Sequence, residues 1–326
     1  MSTRNCNFRY LTKIFLEKVY IFTLDLCIIV VKIVKKVLES FDLADFSFVS
    51  FQHLNIFDVR SKARIPQNAK TAIAIIFPYY NKSAFCGNVS AYCAVADYHI
   101  VVMEQLKSII CALQQKYPQN SFVPFVDSSP VDEVDMAVKC GLGVKGQNSL
   151  LITEKWGSFV FIGEIITDLE TDTVLCDYTY CMGCGLCGKK CPGSAIEQVA
   201  ADGGTAADRY RINCENCASF ISQKKQELTQ QQTRILKNAA TVFGCDICQK
   251  VCPHNVRLFG AAMGTASDDV AAEQEAEAVK PNLFSYDIFN TVTMENVTGV
   301  YKARPFGFRG LKVLERNLAI YNTDND

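Results

Sequence analysis

Two kinds of apolar pattern alternate along the first half of the chain. Thr71–Pro78 and Phe122–Val126 are continuous apolar runs, which predict buried strands. Residues 99–116 carry apolar side chains at helical spacing. The same patterns predict three further elements: a helix over Val131–Lys139 and strands over Ser149–Ile152 and Ser158–Ile166. Strands that alternate with helices indicate a layered α/β body within a chain of the α+β class.

The N-terminal segment is apolar and helical in pattern. Its most apolar part, Val19–Val31, contains Asp25 and ends at Lys32. This run is shorter than the roughly 18 uncharged residues expected of a membrane span. We therefore expect no stable membrane insertion and a helix packed on the body, with peripheral membrane contact through the flanking lysines as the alternative.

The pattern changes again after Asp172, where cysteine, glycine and short turns dominate. Phe220–Lys237 predicts one solvated helix, residues 261–279 an acidic mobile linker, and Tyr301–Tyr321 a basic amphipathic tail. We expect four parts: a helical extension at 1–40, a catalytic α/β domain at 41–172, a cysteine-rich domain at 173–258, and the linker and tail at 259–326.

Composition restricts the possible functions. The chain has 326 residues, 49% of them hydrophobic, which is enough for a large core. A net charge of −1 means that no global basic field indicates nucleic acid, although a local patch would suffice. The 16 cysteines, without a recognisable export signal, fit the reducing conditions of the cytoplasm.

The cysteines carry the clearest chemical signal. The first run, from Cys181 to Pro192, has the spacing C-x2-C-x2-C-x3-C-P of bacterial two-cluster ferredoxins. Its first three thiolates can hold one iron–sulfur cluster, while the fourth faces a second cluster. The second run, C-x2-C-x3-C-P, ends at Pro253.

Spacing divides the cysteines into two ligand sets for two [4Fe-4S] clusters. Cluster one takes Cys181, Cys184, Cys187 and Cys252. Cluster two takes Cys191, Cys245 and Cys248, and either Cys217 or Cys214 as its fourth ligand. A pair of four-cysteine zinc sites is the alternative, but zinc sites use separated C-x2-C pairs more often than interleaved gaps. A disulfide framework is less compatible with such tight spacing.

The body before the cysteines is too large for a simple ferredoxin, and we expect it to hold the centre that receives the electrons. The glycines Gly141, Gly143 and Gly146 follow a predicted helix instead of a strand. A dinucleotide-binding loop is therefore not indicated.

Several motifs resemble those of the epoxyqueuosine reductases, cobalamin-dependent enzymes of tRNA modification with two [4Fe-4S] clusters. The resemblance covers roughly Phe41 to Asn255. The motifs are Asp97-Tyr98-His99, Val126-Asp127-Ser128-Ser129-Pro130, Gly141-Leu142-Gly143-Val144-Lys145-Gly146-Gln147-Asn148, Gly163-Glu164, the two cysteine runs, and Cys217-Ala218-Ser219-Phe220 between them.

The resemblance implies a mechanism. Cobalamin would sit in the body close to cluster one, receive electrons through the clusters and drive loss of the epoxide oxygen. Asp127 would be the acid that protonates this oxygen, with a pKa raised by the apolar corrin. The alternative interpretation of Asp127 is a helix cap, because Asp-Ser-Ser-Pro is a good capping sequence.

The resemblance also implies further site residues. Cys217 matches the family's cysteine before a Ser-aromatic pair, so it is expected in place of Cys214. The expected cobalamin-contacting residues are Tyr98, His99, Ser129 and Asn148. The alternative for His99 is a packing or capping role at the start of its helix.

The chain departs from the family pattern in places. We expect it to be a short form without the C-terminal helical-repeat domain of longer members, and Gly146-Gln147 stands where Gly-Lys is usual. Five basic residues of the tail could form a phosphate-binding patch or an ordinary solvated face: Lys302, Arg304, Arg309, Lys312 and Arg316. The expected partners are tRNA and an electron donor such as a ferredoxin or flavodoxin, and a monomer is expected.

Three functions therefore compete at this point. The first is epoxyqueuosine reductase. The second is a related corrinoid and iron–sulfur reductase that acts on a small molecule. The third is a two-cluster electron carrier without catalytic activity.

Overall fold

The computed structural model describes residues 30–57, 62–199, 210–263, 283–284 and 288–323. Its strands are β1 (Asp45–Ser50), β2 (Thr71–Pro78), β3 (Phe122–Val126), β4 (Val144–Lys145), β5 (Leu151–Ile152), β6 (Val160–Thr167), β7 (Ile196–Gln198) and β8 (Tyr210–Ile212). Its helices are α1 (30–39), α2 (Ala91–Ala94), α3 (Tyr98–Lys116), α4 (Glu133–Lys139), α5 (Leu186–Lys190), α6 (Ala218–Ser222), α7 (Gln230–Ala239), α8 (Ile247–Lys250), α9 (Pro253–Met263), α10 (Met294–Val300) and α11 (Leu311–Asn322).

A four-stranded antiparallel sheet with the order β1-β2-β6-β3 forms the centre of the body. Every residue of β2 is buried, because apolar layers cover both faces of the sheet. The long helix α3 contributes Val102 and Leu106 to one layer, and α4 contributes Met136 to the other. The predicted mixture of helices and sheet is confirmed.

Most predicted elements of the body are present. β2 and β3 have the predicted bounds, and α3 begins one residue earlier than predicted. The helix predicted from Val131 begins at Glu133, because Val131 pairs with Ile56 in an isolated bridge and Asp132 caps the helix through its side chain.

The prediction of a single solvated helix over Phe220–Lys237 is wrong. Two helices, α6 and α7, occupy this segment, and Thr229 starts the second with a capping box. Ile221, Ile235 and Leu236 form a small buried cluster between them. The many Gln and Lys residues concealed this apolar face in the sequence.

The C-terminal segment packs on the rest of the molecule through buried amides. Asn317 is fully buried, and its Nδ2 donates to the carbonyls of Ser222 and Val242, each at 2.8 Å. Asn88 makes a reciprocal pair with the backbone of Val292, at 2.8 and 2.7 Å. These bonds join α11 and its approach segment to the body and to the cysteine-rich region.

Two of the five basic residues of the tail are engaged within the fold. Arg304 is buried, with its guanidinium 5.3 Å from the ring of Phe289. Arg316 donates to the carbonyls of Lys224 and Gln226, at 2.8 and 2.7 Å. These two arginines therefore make contacts within the protein and do not contribute to a solvated helix face.

Some predictions lie outside the described residues, namely those for residues 1–29 and for most of the linker at 261–279. In the part of the chain that the structure describes, no helix is long and apolar enough to cross a membrane.

We predict that Asn317→Leu destabilises the protein by about 2–4 kcal/mol, because two buried carbonyls lose their donor. Urea unfolding followed by circular dichroism measures the change. Glu315→Ala, an exposed position on the same helix, is the control and should change stability little. Equal stability of Asn317→Leu and the control would contradict the clamping role of Asn317.

Candidate functional site

Buried polar side chains dock the second cysteine run on the body. Ser158 Oγ donates to Gln249 Oε1 at 2.8 Å and accepts from Asn255 Nδ2 at 2.8 Å. Asn255 Oδ1 accepts from the backbone N–H of Ser158 at 2.9 Å. Asp246 Oδ2 accepts from the backbone N–H of Ala91 at 2.7 Å. Because each of these groups is buried and paired, the orientation of the run is strongly specified.

Two glycines permit the close approach of the second cysteine run to the body. Gly157 has φ +54°, and a Cβ there would lie 2.0 Å from Asn255 Oδ1. Gly244, directly before Cys245, has φ +75°, and a Cβ there would lie 2.0 Å from Ser90 Oγ. Any other residue would be strained at both positions and would push the cysteine run away from the body.

The structure brings the predicted cluster ligands together in two groups. Cys181, Cys184, Cys187 and Cys252 line one cavity, which we call cavity one. The second set lines a cavity of about 340 Å³, which we call cavity two, and its members are Cys191, Cys217, Cys245 and Cys248. Cys214 is exposed and is not part of this lining.

Burial, and to a smaller extent neighbouring cysteines, raise the pKa values of several of these thiols. Burial raises the pKa of Cys245 to about 12 and raises that of Cys248 further. Burial also raises the pKa of Cys252, although the backbone N–H groups of His254 and Asn255 stabilise its thiolate. Cys245, whose pKa lies well above 7, therefore holds its proton at neutral pH, and binding of iron would release it.

Both cavities fit iron–sulfur clusters. Four cysteines around one cavity are the donor set of a [4Fe-4S] cluster. Within the described residues, no three His, Cys, Asp or Glu side chains are placed to hold a single metal ion. Tetrahedral zinc would need four sulfurs about 2.3 Å from one point.

Asp127 lies at the tip of a strained turn directly after β3. Its φ is +60°, and the N–H of Ser128 donates to the carbonyl of Val126 at 2.6 Å, which closes a γ-turn. The cap of α4 is Asp132, whose side chain accepts from the N–H of Asp135. The helix-cap interpretation of Asp127 is therefore wrong. Strain at an exposed carboxylate is typical of functional positions.

His99 connects two carboxylates at the start of α3. Its Nε2 lies 3.2 Å from Asp127 Oδ2, and its Nδ1 lies 2.8 Å from Asp97 Oδ1. Asp97 caps α3 through the N–H of His99. His99 is therefore not the cap residue, and it faces Asp127 across the site.

The charge distribution of this pair differs from the expectation. Hydrogen bonds that His99 donates to the carboxylates of Asp127 and Asp97 raise its pKa to about 9. The hydrogen bond from His99 lowers the pKa of Asp127 below its ordinary value. An imidazolium faces the carboxylate here, whereas the raised pKa of Asp127 was expected beside a bound corrin and stays a prediction. At neutral pH the proton resides on His99.

Tyr98 links this pair to cavity two. Its ring stacks on Phe161, with centroids 4.2 Å apart and planes 9° apart, and Phe161 lines cavity two. Tyr98 also stacks on His99 at 4.0 Å. The His99–Asp127 pair and the second cysteine set are therefore connected through two aromatic rings.

The two remaining predicted site residues are buried. Ser129 Oγ donates to Glu164 Oε2 at 2.5 Å, so this hydroxyl is bonded beneath the Asp127 turn. Asn148 lines both cavities, and its side chain hydrogen-bonds to Cys248. The structure thus places Asn148 between the two cysteine sets.

Sequence reasoning assigned no role to two carboxyl groups behind the turn, the buried Glu164 and the partly buried Glu133. Glu164 is fully buried on β6, and burial raises its pKa to about 8. Burial and Glu164 together raise the pKa of Glu133, which accepts a hydrogen bond from the backbone of Asp127. A charged residue within the apolar strand Val160–Thr167 was the signal that could have revealed Glu164.

Two family models match the chain. Residues 61–128 match a model described as "Epoxyqueuosine reductase QueG, DUF1730". Residues 180–255 match a model described as "4Fe-4S double cluster binding domain".

Curated relatives and a solved structure agree with these matches. An epoxyqueuosine reductase of Leadbetterella byssophila is 31% identical over 274 residues, which cover 81% of this chain and 82% of the relative. One of Cyclobacterium marinum is 36% identical over 209 residues, which cover 62% of this chain and 64% of the relative. A crystal structure of an epoxyqueuosine reductase with an epoxyqueuosine-modified tRNA stem loop shares the fold, with a TM-score of 0.65, 19% identity, and coverage of 90% of this chain and 81% of that one.

We predict that Cys217→Ser lowers the iron content of anaerobically reconstituted protein from about eight to about four per chain, because cluster two loses a ligand. Cys214→Ser is the matched control and should keep about eight irons. Loss of iron in Cys214→Ser with full loading of Cys217→Ser would show that the fourth ligand is misassigned.

We predict that Glu164→Gln changes how stability depends on pH. Because the folded pKa of Glu164 is about 8, above its ordinary 4.5, its contribution to stability is complete below about pH 4.5 and is lost as the pH rises towards 8. The variant cannot titrate, so its stability relative to wild type should improve between about pH 5 and pH 8.

Urea midpoints across that pH range measure the effect, with the exposed Glu154→Gln as the control. A difference between Glu164→Gln and wild type that does not vary with pH would mean that Glu164 is ionised in the folded protein.

Proposed function

The chain belongs to the epoxyqueuosine reductase family, and we propose that it converts epoxyqueuosine to queuosine in tRNA with two [4Fe-4S] clusters and cobalamin. The observation that carries the proposal is the pair formed by His99 and Asp127. Asp127 lies on a strained turn, and two aromatic rings connect the pair to a four-cysteine cavity. An electron carrier without catalytic activity has no need for such a pair.

The reaction requires electrons and protons together. Removal of the epoxide oxygen breaks two C–O bonds, forms a C=C bond and releases water, so it consumes two electrons and two protons. The clusters are the route for the electrons. The His99–Asp127 pair is the source of a proton for the leaving oxygen.

Asp127 is the proposed catalytic acid, and His99 is its proton store. Before substrate binds, the proton resides on Nε2 of His99, 3.2 Å from Asp127 Oδ2. A substrate and corrin that cover the exposed Asp127 would disfavour its negative charge. The proton then moves to Asp127 and from there to the oxygen, while Asp97 stabilises the ring of His99 through Nδ1.

Cobalamin, when bound, supplies a cobalt centre that delivers electrons to the epoxide. We propose Tyr98 and His99 as the residues that contact it, since both face the Asp127 turn. Phe161 joins Tyr98 to cavity two, which favours cluster two as the cluster nearer the corrin. This differs from the arrangement that the family resemblance implied, in which cluster one is nearer. Ser129 would support the site through its hydrogen bond to Glu164, and Asn148 through its hydrogen bond to Cys248.

The tRNA substrate is proposed from the relatives. The structural relative in complex with a modified stem loop supports it, and so does the match to the family model over the body. An electron donor of the ferredoxin or flavodoxin class, a monomeric state, a cytoplasmic location and the division of the chain at residues 40, 172 and 258 remain predictions.

One observation favours a second candidate, a corrinoid and iron–sulfur reductase of small molecules. Arg304 and Arg316 are engaged within the fold and are not available to phosphates. The tail therefore offers fewer cations to RNA than its sequence suggests.

Turnover on an epoxyqueuosine anticodon stem-loop tests the proposal. The protein is reconstituted anaerobically with iron, sulfide and cobalamin, reduced chemically, and its product is identified by mass spectrometry. Queuosine is the expected product. The second candidate would be supported if the protein binds clusters and cobalamin and reduces the free nucleoside but not the stem-loop. Binding of clusters without binding of cobalamin would contradict both candidates.

We predict that Asp127→Asn lowers the turnover rate by about 10²–10⁴-fold, because the amide cannot pass a proton to the oxygen. In wild type, the rate should fall as the pH rises through about 9, where His99 loses its proton. Glu104→Gln, exposed on the same helix as His99, should behave as wild type. Unchanged turnover in Asp127→Asn would exclude Asp127 as the acid.

A further inference from the structure

His254 lines the cavity of the first cysteine set. It is the second residue of α9 and follows Cys252 and Pro253 directly. Its Nε2 atom is buried and has no hydrogen-bond partner among the described residues. A buried nitrogen without a partner is unfavourable, so a partner inside the cavity is indicated.

The protein groups around cavity one do not supply this partner. Gln147 Oε1 accepts from the N–H of Gly185 at 3.2 Å. The thiolate of Cys252 is already stabilised by the backbone N–H groups of His254 and Asn255. Four thiols complete the ligand set of a cluster, so the imidazole is not needed as an iron ligand. A cluster held by these four thiols would bring sulfur acceptors into the cavity that His254 lines.

We propose that Nε2–H of His254 donates a hydrogen bond to a sulfur of cluster one and thereby raises the reduction potential of this cluster. Reduction places additional negative charge on the cluster sulfurs, so the bond is stronger in the reduced state. The inference rests on the proposed [4Fe-4S] cofactors, and it is independent of the tRNA substrate and of cobalamin.

The exposed position of cluster one gives a raised reduction potential a function. Cys184 is exposed, and Met182, which lines the same cavity, is 66% exposed. Cluster one is therefore accessible to an external electron donor. A raised potential favours transfer of an electron from that donor to cluster one.

Redox titration monitored by electron paramagnetic resonance tests the proposal on the reconstituted full chain. The variants are His254→Leu, which removes the donor, and His254→Gln, which keeps an N–H at a similar reach. Met182→Leu changes the same cavity without changing a donor and is the matched control. Iron analysis verifies that wild type and the three single variants carry both clusters. The same variants in a Cys217→Ser background, where only cluster one is expected, identify the signal of cluster one.

We expect His254→Leu to make the potential of cluster one more negative by about 59 mV, which corresponds to a tenfold change in its one-electron reduction equilibrium. His254→Gln should restore most of the shift, and Met182→Leu should leave the potential unchanged. Equal potentials in wild type and His254→Leu, or a shift confined to cluster two, would overturn the proposal. A wild-type protein that binds no clusters would instead overturn the proposed function, and iron analysis distinguishes that result.

Discussion

The site depends on the docking of the second cysteine run against the body by buried hydrogen bonds. Ser158 on the body pairs with Gln249 and Asn255, and the N–H of Ala91 pairs with Asp246. Buried polar groups tolerate only the arrangement in which all of them are paired, because an unpaired group is costly. This requirement positions Cys245, Cys248 and Cys252 for both cavities at once. The two cysteine sets and the body that carries the Asp127 turn consequently belong to one packed unit.

Charge around the Asp127 turn is distributed between two layers. The exposed layer contains Asp127 with the imidazolium of His99, and behind it lie the buried Glu164 and the partly buried Glu133, both with raised pKa values. A protonated Glu164, whose pKa is about 8, avoids repulsion of the Asp127 carboxylate at neutral pH. The strained backbone at Asp127 thus donates a hydrogen bond to Glu133, while the Asp127 side chain stays exposed.

Local patterns explain why part of this arrangement was predictable. The apolar runs of β2 and β3 predicted their bounds, and the spacing of the cysteines predicted two sets whose members the structure places in two cavities. The pairing of His99 with Asp127 joins residues 28 positions apart through tertiary packing, which no local pattern encodes. The protonation of His99 and the burial of Arg304 likewise depend on neighbours distant in sequence. Those features required the structure.

The most direct test of the central claim is the magnetic interaction between the cobalt of bound cobalamin and the reduced clusters, measured by electron paramagnetic resonance. If cavity two holds the cluster nearer the corrin, the cobalt signal should be broadened by a reduced cluster in wild type and in Cys214→Ser. The broadening should disappear in Cys217→Ser, where cluster two is lost and cluster one remains. Broadening that persists in Cys217→Ser would contradict the proposed route through cluster two to the His99–Asp127 site.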